Sequence, residues 1–282
     1  MRAAKTPDPV RSVIAHRLEY GAKAGSVAAT EMRDVPVEVP IAIVYNSVPY
    51  AVMMAAPADL DDFAYGFSLT EGVIASMGDI RSVEQSAEGE AIRLDIALSG
   101  DRFSAHLARK RAMSGRTGCG VCGVTDLANL PHAPLRARKA WTFEPEAIAA
   151  ALGALERAQP LNARTHAMHA AAFADRKGSI ALVREDVGRH NALDKLIGRI
   201  LLDGLDADQG FGLITSRCSF EMVEKAAAAG LRLLVAISAP TSLAIERAQA
   251  HGIMLIAVAR SDYGLAFTGP ELRPESSFQR DE

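Results

Sequence analysis

Three cysteines in 282 residues are too few for a secreted disulfide framework and point to a reducing compartment such as the cytosol. No apolar run is long. The longest, LLVAISAP and GIMLIAVA, extend for about eight residues, far short of the roughly 18–20 that span a bilayer. The opening stretch MRAAKTPDPVRSVIAH carries charges and prolines but no apolar segment, so no secretory leader is expected. A formal net charge of −3 supplies no global basic field for nucleic acid, so an anionic partner has to be met by a local cluster. G-x-x-x-x-G-K-[ST] does not occur, which disfavours a standard P-loop site. The H-x-E and P-C-x-x-C pair of zinc-dependent base deaminases is missing too.

What remains is a chain of globular composition, 49% hydrophobic and 23% charged, long enough to bury a full core. Residues 1–35 are expected as a flexible, loosely held arm. An N-terminal α+β subdomain follows over 36–138. In it VPVEVPIAIVYN and VPYAVMMAAP form a strand pair joined at Asn46-Ser47, and residues 60–74 have helical spacing with Phe63, Phe67 and Ile74 near one face. IRSVEQSAEGEAIRLDIAL suggests further strands around a Glu-Gly turn, and HAPLRARKAW is the candidate linker. Residues 139–282 form a C-terminal α/β domain. EPEAIAAALGALERAQ is a helix, and HAAAFA and SIALVRE are a strand pair. Strands IALVRE, FGLITS, LRLLVAIS and IMLIAVAR then alternate with helices, the second of which has Ser219 as expected N-cap. Such alternation implies parallel pairing with right-handed crossovers.

In open parallel sheets ligands bind beyond the carboxyl ends of the strands. Four consecutive strands here end in arginines, hydroxyls and helix starts: Arg184 to Asn191, Thr215 to Ser219, Ser238 to Ser242, and Arg260 to Asp262. Such an edge suits an anion with several hydrogen-bonding edges, such as a nucleotide. The competing reading is that loops are polar and short polar residues cap helices in any protein. Asp186 and Asp194 could equally hold Arg189 or Lys195 structurally, His190 could cap or pack, and Cys218 reads as a small structural residue.

Cys119 and Cys122 sit in GRTGCGVCGVTDL, where glycines at 115, 118, 120 and 123 widen the allowed backbone angles. Zinc would need further ligands, and only His106 and His132 lie nearby. A thioredoxin-like pair wants the first cysteine at a rigid helix start, which the glycines oppose. A persulfide carrier, whose sulfur must enter two different active sites, benefits from mobility. Arg109, Lys110, Arg111 and Arg116 could stabilise its thiolate, or could be a solvated face.

GCGVCG at 118–123, REDVGRHNALDKLIG at 184–198, SFEMVEKAAAAG at 219–230 and SAPTSLAIERAQAHGIMLI at 238–256 together resemble the formate dehydrogenase accessory sulfurtransferases, the FdhD family. The likeness runs from about residue 35 to 270. It implies an enzyme that takes sulfur from a cysteine desulfurase and passes it to the molybdenum bis(guanine dinucleotide) cofactor of formate dehydrogenase, whose nucleotide ends GDP could mimic. It further implies a cytoplasmic homodimer with no metal of its own, and a C-terminal domain of cytidine-deaminase-like, three-layer α/β/α form with a mixed sheet. Cys119 would carry the persulfide and Cys122 would assist. Cofactor binding would fall to Arg184, Asp186, Arg189, His190, Asn191, Ser216, Arg217, Ser219, Ser238 and Thr241, and to the stretch Val258, Ala259, Arg260, Ser261, Asp262 and Tyr263. The competing functions are a cofactor-binding chaperone that carries no sulfur and a dithiol redox protein. Three departures from the family pattern touch the expected pocket: His166-Ala167 in place of paired glycines, Ser216 in place of a glycine, and Ala257-Val258-Ala259-Arg260 in place of Gly-Phe-x-Arg.

Overall fold

A computed structural model describes residues 7–18, 20, 27–104, 133–134 and 143–269. Expectations that fall on 105–132 and 135–142, including Cys119, Cys122, their glycines and most of the candidate linker, lie outside the described residues.

The first segment differs from expectation. In place of a loosely held arm, β1 (Val10–Leu18) and β2 (Val27–Pro36) pair as an antiparallel ribbon. Its polar cross-strand pairs include Ser12 to Asp34 at 2.5 Å and His16 to Thr30 at 3.2 Å. Arg164 reaches Asp34 from the C-terminal domain at 3.0 Å. The ribbon buries little: Ile14 and Met32, opposite one another, are 65% and 63% exposed. A strand pair without a buried face leaves no period-2 alternation to read.

The N-terminal subdomain is a four-stranded sheet in the order β4-β3-β6-β5 with a helix packed on it. β3 (Val39–Tyr45) and β4 (Val48–Ala55) turn at Asn46-Ser47, both with positive φ (44° and 67°). Two-residue hairpins favour this conformation because it matches the right-handed strand twist. β5 (Ile80–Glu88) and β6 (Ala91–Leu98) pair around Gly89, and β6 lies parallel to β3. Helix α1 (Leu60–Thr70) is shorter than its periodicity suggested. It closes with the Glu71 N–H bonded to Phe67 O, and Gly72 follows at φ 68°. Phe63 and Phe67 pack on Ile41, Ile43, Leu94 and Ile96, and Ile74, beyond the helix end, is buried with them.

The C-terminal domain is a six-stranded mixed sheet in the order β12-β11-β10-β9-β7-β8. β7 (His169–Asp175) and β8 (Ile180–Asp186) form the expected antiparallel edge pair. β9 (Gly210–Ile214), β10 (Leu233–Ala236) and β11 (Met254–Ala257) run parallel. A strand not foreseen, β12 (Leu265–Thr268), adds antiparallel to β11. Helix α2 (Pro145–Leu155) covers one face through Ala147, Ile148, Ala151 and Leu155. Short helix α3 (Pro160–Thr165) follows, its first backbone N–H groups capped by Glu185. Helices α4 (Arg189–Leu202), α5 (Phe220–Ala228) and α6 (Ser242–His251) cover the other face.

The two domains meet along α1 and α4, which cross at glycines. A methyl group on Gly66 would sit 1.7 Å from Asp194 O, and one on Gly198 would sit 1.8 Å from Asp62 O. Backbone is touching backbone, so neither helix can yield locally. Gly198→Ala is expected to lower stability by about 3 kcal/mol or more, by forcing the helices apart. Chemical denaturation would read it, and a cost near zero would mean that the crossing is looser than described. A polar knot locks the same seam. Lys225 Nζ lies 2.8 Å from both carboxylate oxygens of Asp194 and 3.0 Å from Thr70 Oγ1. Asp194 is therefore structural, one of the two roles left open for it, and burial raises its carboxyl above the usual range.

Candidate functional site at the strand ends

Topology brings the expected segments to one edge. β9, β10 and β11 are parallel, and β7 runs against β9, so the start of β7 and the end of β8 lie beside the end of β9. His169 opens β7 directly opposite Asp186, which closes β8. Helices α4, α5 and α6 all begin at this edge and on one face. Their free N–H groups and dipoles favour an anion there.

The expected binding residues divide by what already holds them. Arg184 turns to α1, donating from Nε to Asp62 at 2.6 Å, with Asp59 3.6 Å away. It lines a separate cavity of about 590 Å³ with Asp59, Asp61 and Arg199. Asp186 is wholly buried, 2.6 Å from Lys195 Nζ, and it accepts from the N–H groups of Ala56 and Gly188. Asn191 donates to Asp186 and to Met54 O. These three residues bind the two domains to each other through the atoms named. The sequence shows them as strand-end polarity because a cross-domain partner 130 residues away leaves no local trace.

The rest are held less uniformly. Arg189 Nε and Ser219 Oγ are buried with no hydrogen-bond partner among the described residues. Ser219 does hold the N-cap position of α5, in extended backbone, but its side chain makes no capping bond. His190 Nε2 lies 3.0 Å from Glu221, a residue the sequence reading passed over as ordinary first-turn acid. Burial opposes ionisation of Glu221, yet His190 holds its carboxyl below the usual range. Arg217 is exposed. Ser216 is buried, its hydroxyl donating to Arg217 O at 3.0 Å. Thr241 caps α6, accepting from Ala244 N at 3.2 Å, and Ser238 O accepts from Val258 N. Ala259 packs its methyl into the α2 side of the core. Arg260 folds back, donating to Ile237 O and Ala259 O at 2.7 and 2.8 Å. Ser261, Asp262 and Tyr263 are exposed. Cys218 is fully buried, with its thiol pushed up to about 12 by burial, and is therefore unreactive. Among the described residues, no group of three His, Cys, Asp or Glu is arranged to hold a metal.

Two of the three departures from the family pattern coincide with unusual backbone. His166, where paired glycines were expected, adopts φ 52°, and Val258 adopts φ 51°. A β-branched residue rarely occupies that region, and strain of this kind concentrates at functional sites. Val258→Gly is expected to leave stability unchanged or raise it by about 1 kcal/mol, in spite of the lost side chain. A loss beyond about 2 kcal/mol in a thermal melt would contradict the strained geometry.

His169 was not among the expected ligands, although a histidine opening a strand beside two helix starts was legible. Burial, then the charges of Arg189 and His190, hold its imidazole below the usual range, so it is neutral at pH 7. An anion bound here would raise that value and draw in a proton. Sulfate, which does not titrate in this range, should therefore bind more tightly as pH falls from 7 to 5, and His169→Gln should flatten the profile. Calorimetry at several pH values would check this, and equal slopes in both proteins would remove His169 from the site.

The profile of the FdhD/NarQ family matches residues 36–273 of this chain. The sulfur carrier protein FdhD of Xanthomonas campestris pv. campestris is 46% identical over 262 residues, covering 93% of this chain and 91% of that one. Its counterpart in Xanthomonas euvesicatoria pv. vesicatoria is 44% identical over 270 residues, covering 96% and 94%. That of Bordetella petrii is 42% identical over 272 residues, covering 95% and 98%. A crystal structure described as a formate dehydrogenase accessory protein from Desulfotalea psychrophila superposes with a TM-score of 0.71 at 24% identity. It covers 92% of this chain and 98% of that one, and supports the mixed α/β fold.

Proposed function

Since the chain belongs to the FdhD/NarQ family, we propose that it is a sulfur carrier in the maturation of a formate dehydrogenase, acting as a sulfurtransferase through a persulfide on Cys119. The observation that carries this reading is identity above 40%, over more than nine-tenths of both chains, with proteins named as sulfur carriers. The Cys119 thiolate attacks the terminal sulfur of a cysteine desulfurase persulfide. One S–S bond forms, the donor thiolate leaves, and Cys119–S–SH results. If sulfide is to be released, Cys122 attacks Cys119 Sγ, giving the Cys119–Cys122 disulfide and HS⁻ with electrons balanced.

The acceptor is the molybdenum bis(guanine dinucleotide) cofactor, written here as substrate. The strand-end edge fits its nucleotide ends: Arg189 Nε and Ser219 Oγ are buried without partners among the described residues, beside three helix starts and the exposed Arg217. The order β8-β7-β9-β10-β11 supports a cytidine-deaminase-like reading of this domain. A cytoplasmic homodimer remains part of the proposal. No helix among the described residues is long and apolar enough to cross a membrane.

Intact mass spectrometry after incubation with a cysteine desulfurase and cysteine tests the reading. A gain of about one sulfur mass, reversed by reductant and lost in Cys119→Ala but not in Cys122→Ala, is expected. No gain would favour a chaperone without sulfur transfer. A loss of two hydrogens would favour a dithiol redox protein.

A further inference from the structure

Glu221 is a carboxylate set among cations. It lies in the first turn of α5, two residues after Ser219, and its side chain is 17% exposed. Oε2 lies 3.0 Å from His190 Nε2. Burial opposes ionisation, yet His190, with Lys225 and Arg189 behind it, keeps the carboxyl below the usual range. Among the described residues nothing donates a hydrogen bond to Oε1. The helix dipole and the counter-charge of His190 would account for an acid at the start of a helix. They do not account for an acid inside an anion site. A fixed negative charge there repels phosphate, and the neighbouring donors would hold a plain anion better without it. Asp186, at the same edge, is sealed against Lys195, so Glu221 is placed to meet a ligand where Asp186 is not.

The charges at this edge are sorted by position. Helix α5 packs against α4 on one side and α6 on the other. The α4–α5 side holds Glu221 and His190, together with Arg189 Nε and Ser219 Oγ, both buried and without a partner among the described residues. The α6 side has no acid in the first turn of its helix. One side therefore offers an acceptor beside donors, and the other offers helix N–H groups alone. The second suits phosphate. The first matches the edge of a guanine base, which presents two adjacent donors, N1–H and the N2 amine, followed by two acceptors, O6 and N7. Adenine carries an acceptor at N1 and a donor at N6, and would turn a lone pair towards the carboxylate.

We propose that Glu221 selects guanine: its carboxylate accepts from N1–H and the N2 amine, while Arg189 and Ser219 donate to O6 and N7. His190 does not block this, because each carboxylate oxygen can accept twice. The assignment rests on the reading of this edge as a nucleotide site and does not depend on sulfur transfer.

The test is calorimetric titration of the full chain, and of Glu221→Gln, with GDP, IDP, XDP and ADP. IDP keeps N1–H, O6 and N7 but lacks the N2 amine, and XDP has a carbonyl acceptor in its place. The parent protein should bind GDP about tenfold or more tightly than IDP, and ADP more weakly still. Glu221→Gln keeps the shape and exchanges one acceptor oxygen for a donor. It should weaken GDP about tenfold or more, remove the preference for GDP over IDP, and strengthen XDP, whose carbonyl can accept from the new amide. Each preference is a ratio within one protein, so partial unfolding cannot imitate it. Equal binding of GDP and IDP by the parent would overturn the inference while leaving the edge a nucleotide site. So would a uniform loss for all four nucleotides in Glu221→Gln, which would make the residue a support for His190. Binding of no nucleotide by the parent would overturn the reading of the edge, and the inference with it.

Discussion

Cells that depend on this protein for formate dehydrogenase activity should lose it entirely when Cys119 is replaced by alanine, falling to the level of cells without the protein. The expectation follows from the chemistry: a methyl group cannot attack a sulfane sulfur, and no other thiol can substitute. Cys122 is two residues away, but its proposed work begins only after Cys119 is loaded. Cys218 is buried, and its thiol is raised to about 12, so almost none is thiolate at neutral pH. The same variant should keep the wild-type melting temperature and the GDP binding proposed for the strand-end edge. Arg189, Ser219 and Arg217, proposed to meet that ligand, belong to the helix starts and strand-end loops of the C-terminal domain. Loss of maturation with intact GDP binding would separate sulfur transfer from cofactor binding. Residual maturation above background would move the assignment to a chaperone, for which Arg189→Gln, rather than the cysteine variant, should be the damaging change.

Lys195→Met should be the most destabilising single substitution at the domain seam, costing about 3–5 kcal/mol. Lys195 and Asp186 are both fully buried, with Nζ 2.6 Å from Oδ2. Without the ammonium, Asp186 keeps donors from Ala56, Gly188 and Asn191 but loses its counter-charge in a dry site. For a chain whose total stability is about 5–15 kcal/mol, that loss should lower the melting temperature by roughly 10 °C. Adding Asp186→Asn should restore part of it, since a neutral amide needs no counter-ion and can still accept from Gly188 or Ala56. The damage should also reach the edge, because the Gly188 N–H bound by Asp186 is the residue from which α4 springs. A cost below about 1 kcal/mol would mean that the carboxylate is solvated after all.

The elements with a buried face were legible in the chain. Leu193, Leu196, Ile197 and Ile200 recur at helical spacing, and all four are buried in the core under α4. The edge pair β7–β8, the parallel run β9 to β11 and the turn at Asn46-Ser47 also follow from local pattern. The β1–β2 ribbon was not legible, because neither of its faces is buried and its pairing is carried by backbone bonds and polar side chains. β12 escaped as well: Leu265 is 51% exposed and only Thr268 at its far end is buried.

At the candidate site the local order of residues determined that strand-end arginines, hydroxyls and helix starts would gather at one edge, since alternating strands and helices with right-handed crossovers leave no other arrangement. It also determined the cysteine pair and the family motifs. Only the tertiary structure decided which polar groups are free for a ligand. Arg184, Asp186 and Asn191 look like binding residues until α1 and the end of β4 arrive from more than 120 residues away and take up their atoms. Among the described residues, Arg189 Nε and Ser219 Oγ are left without partners. The physical reason is that a residue type states what a side chain can bond to, whereas satisfaction of that capacity depends on what else is buried beside it.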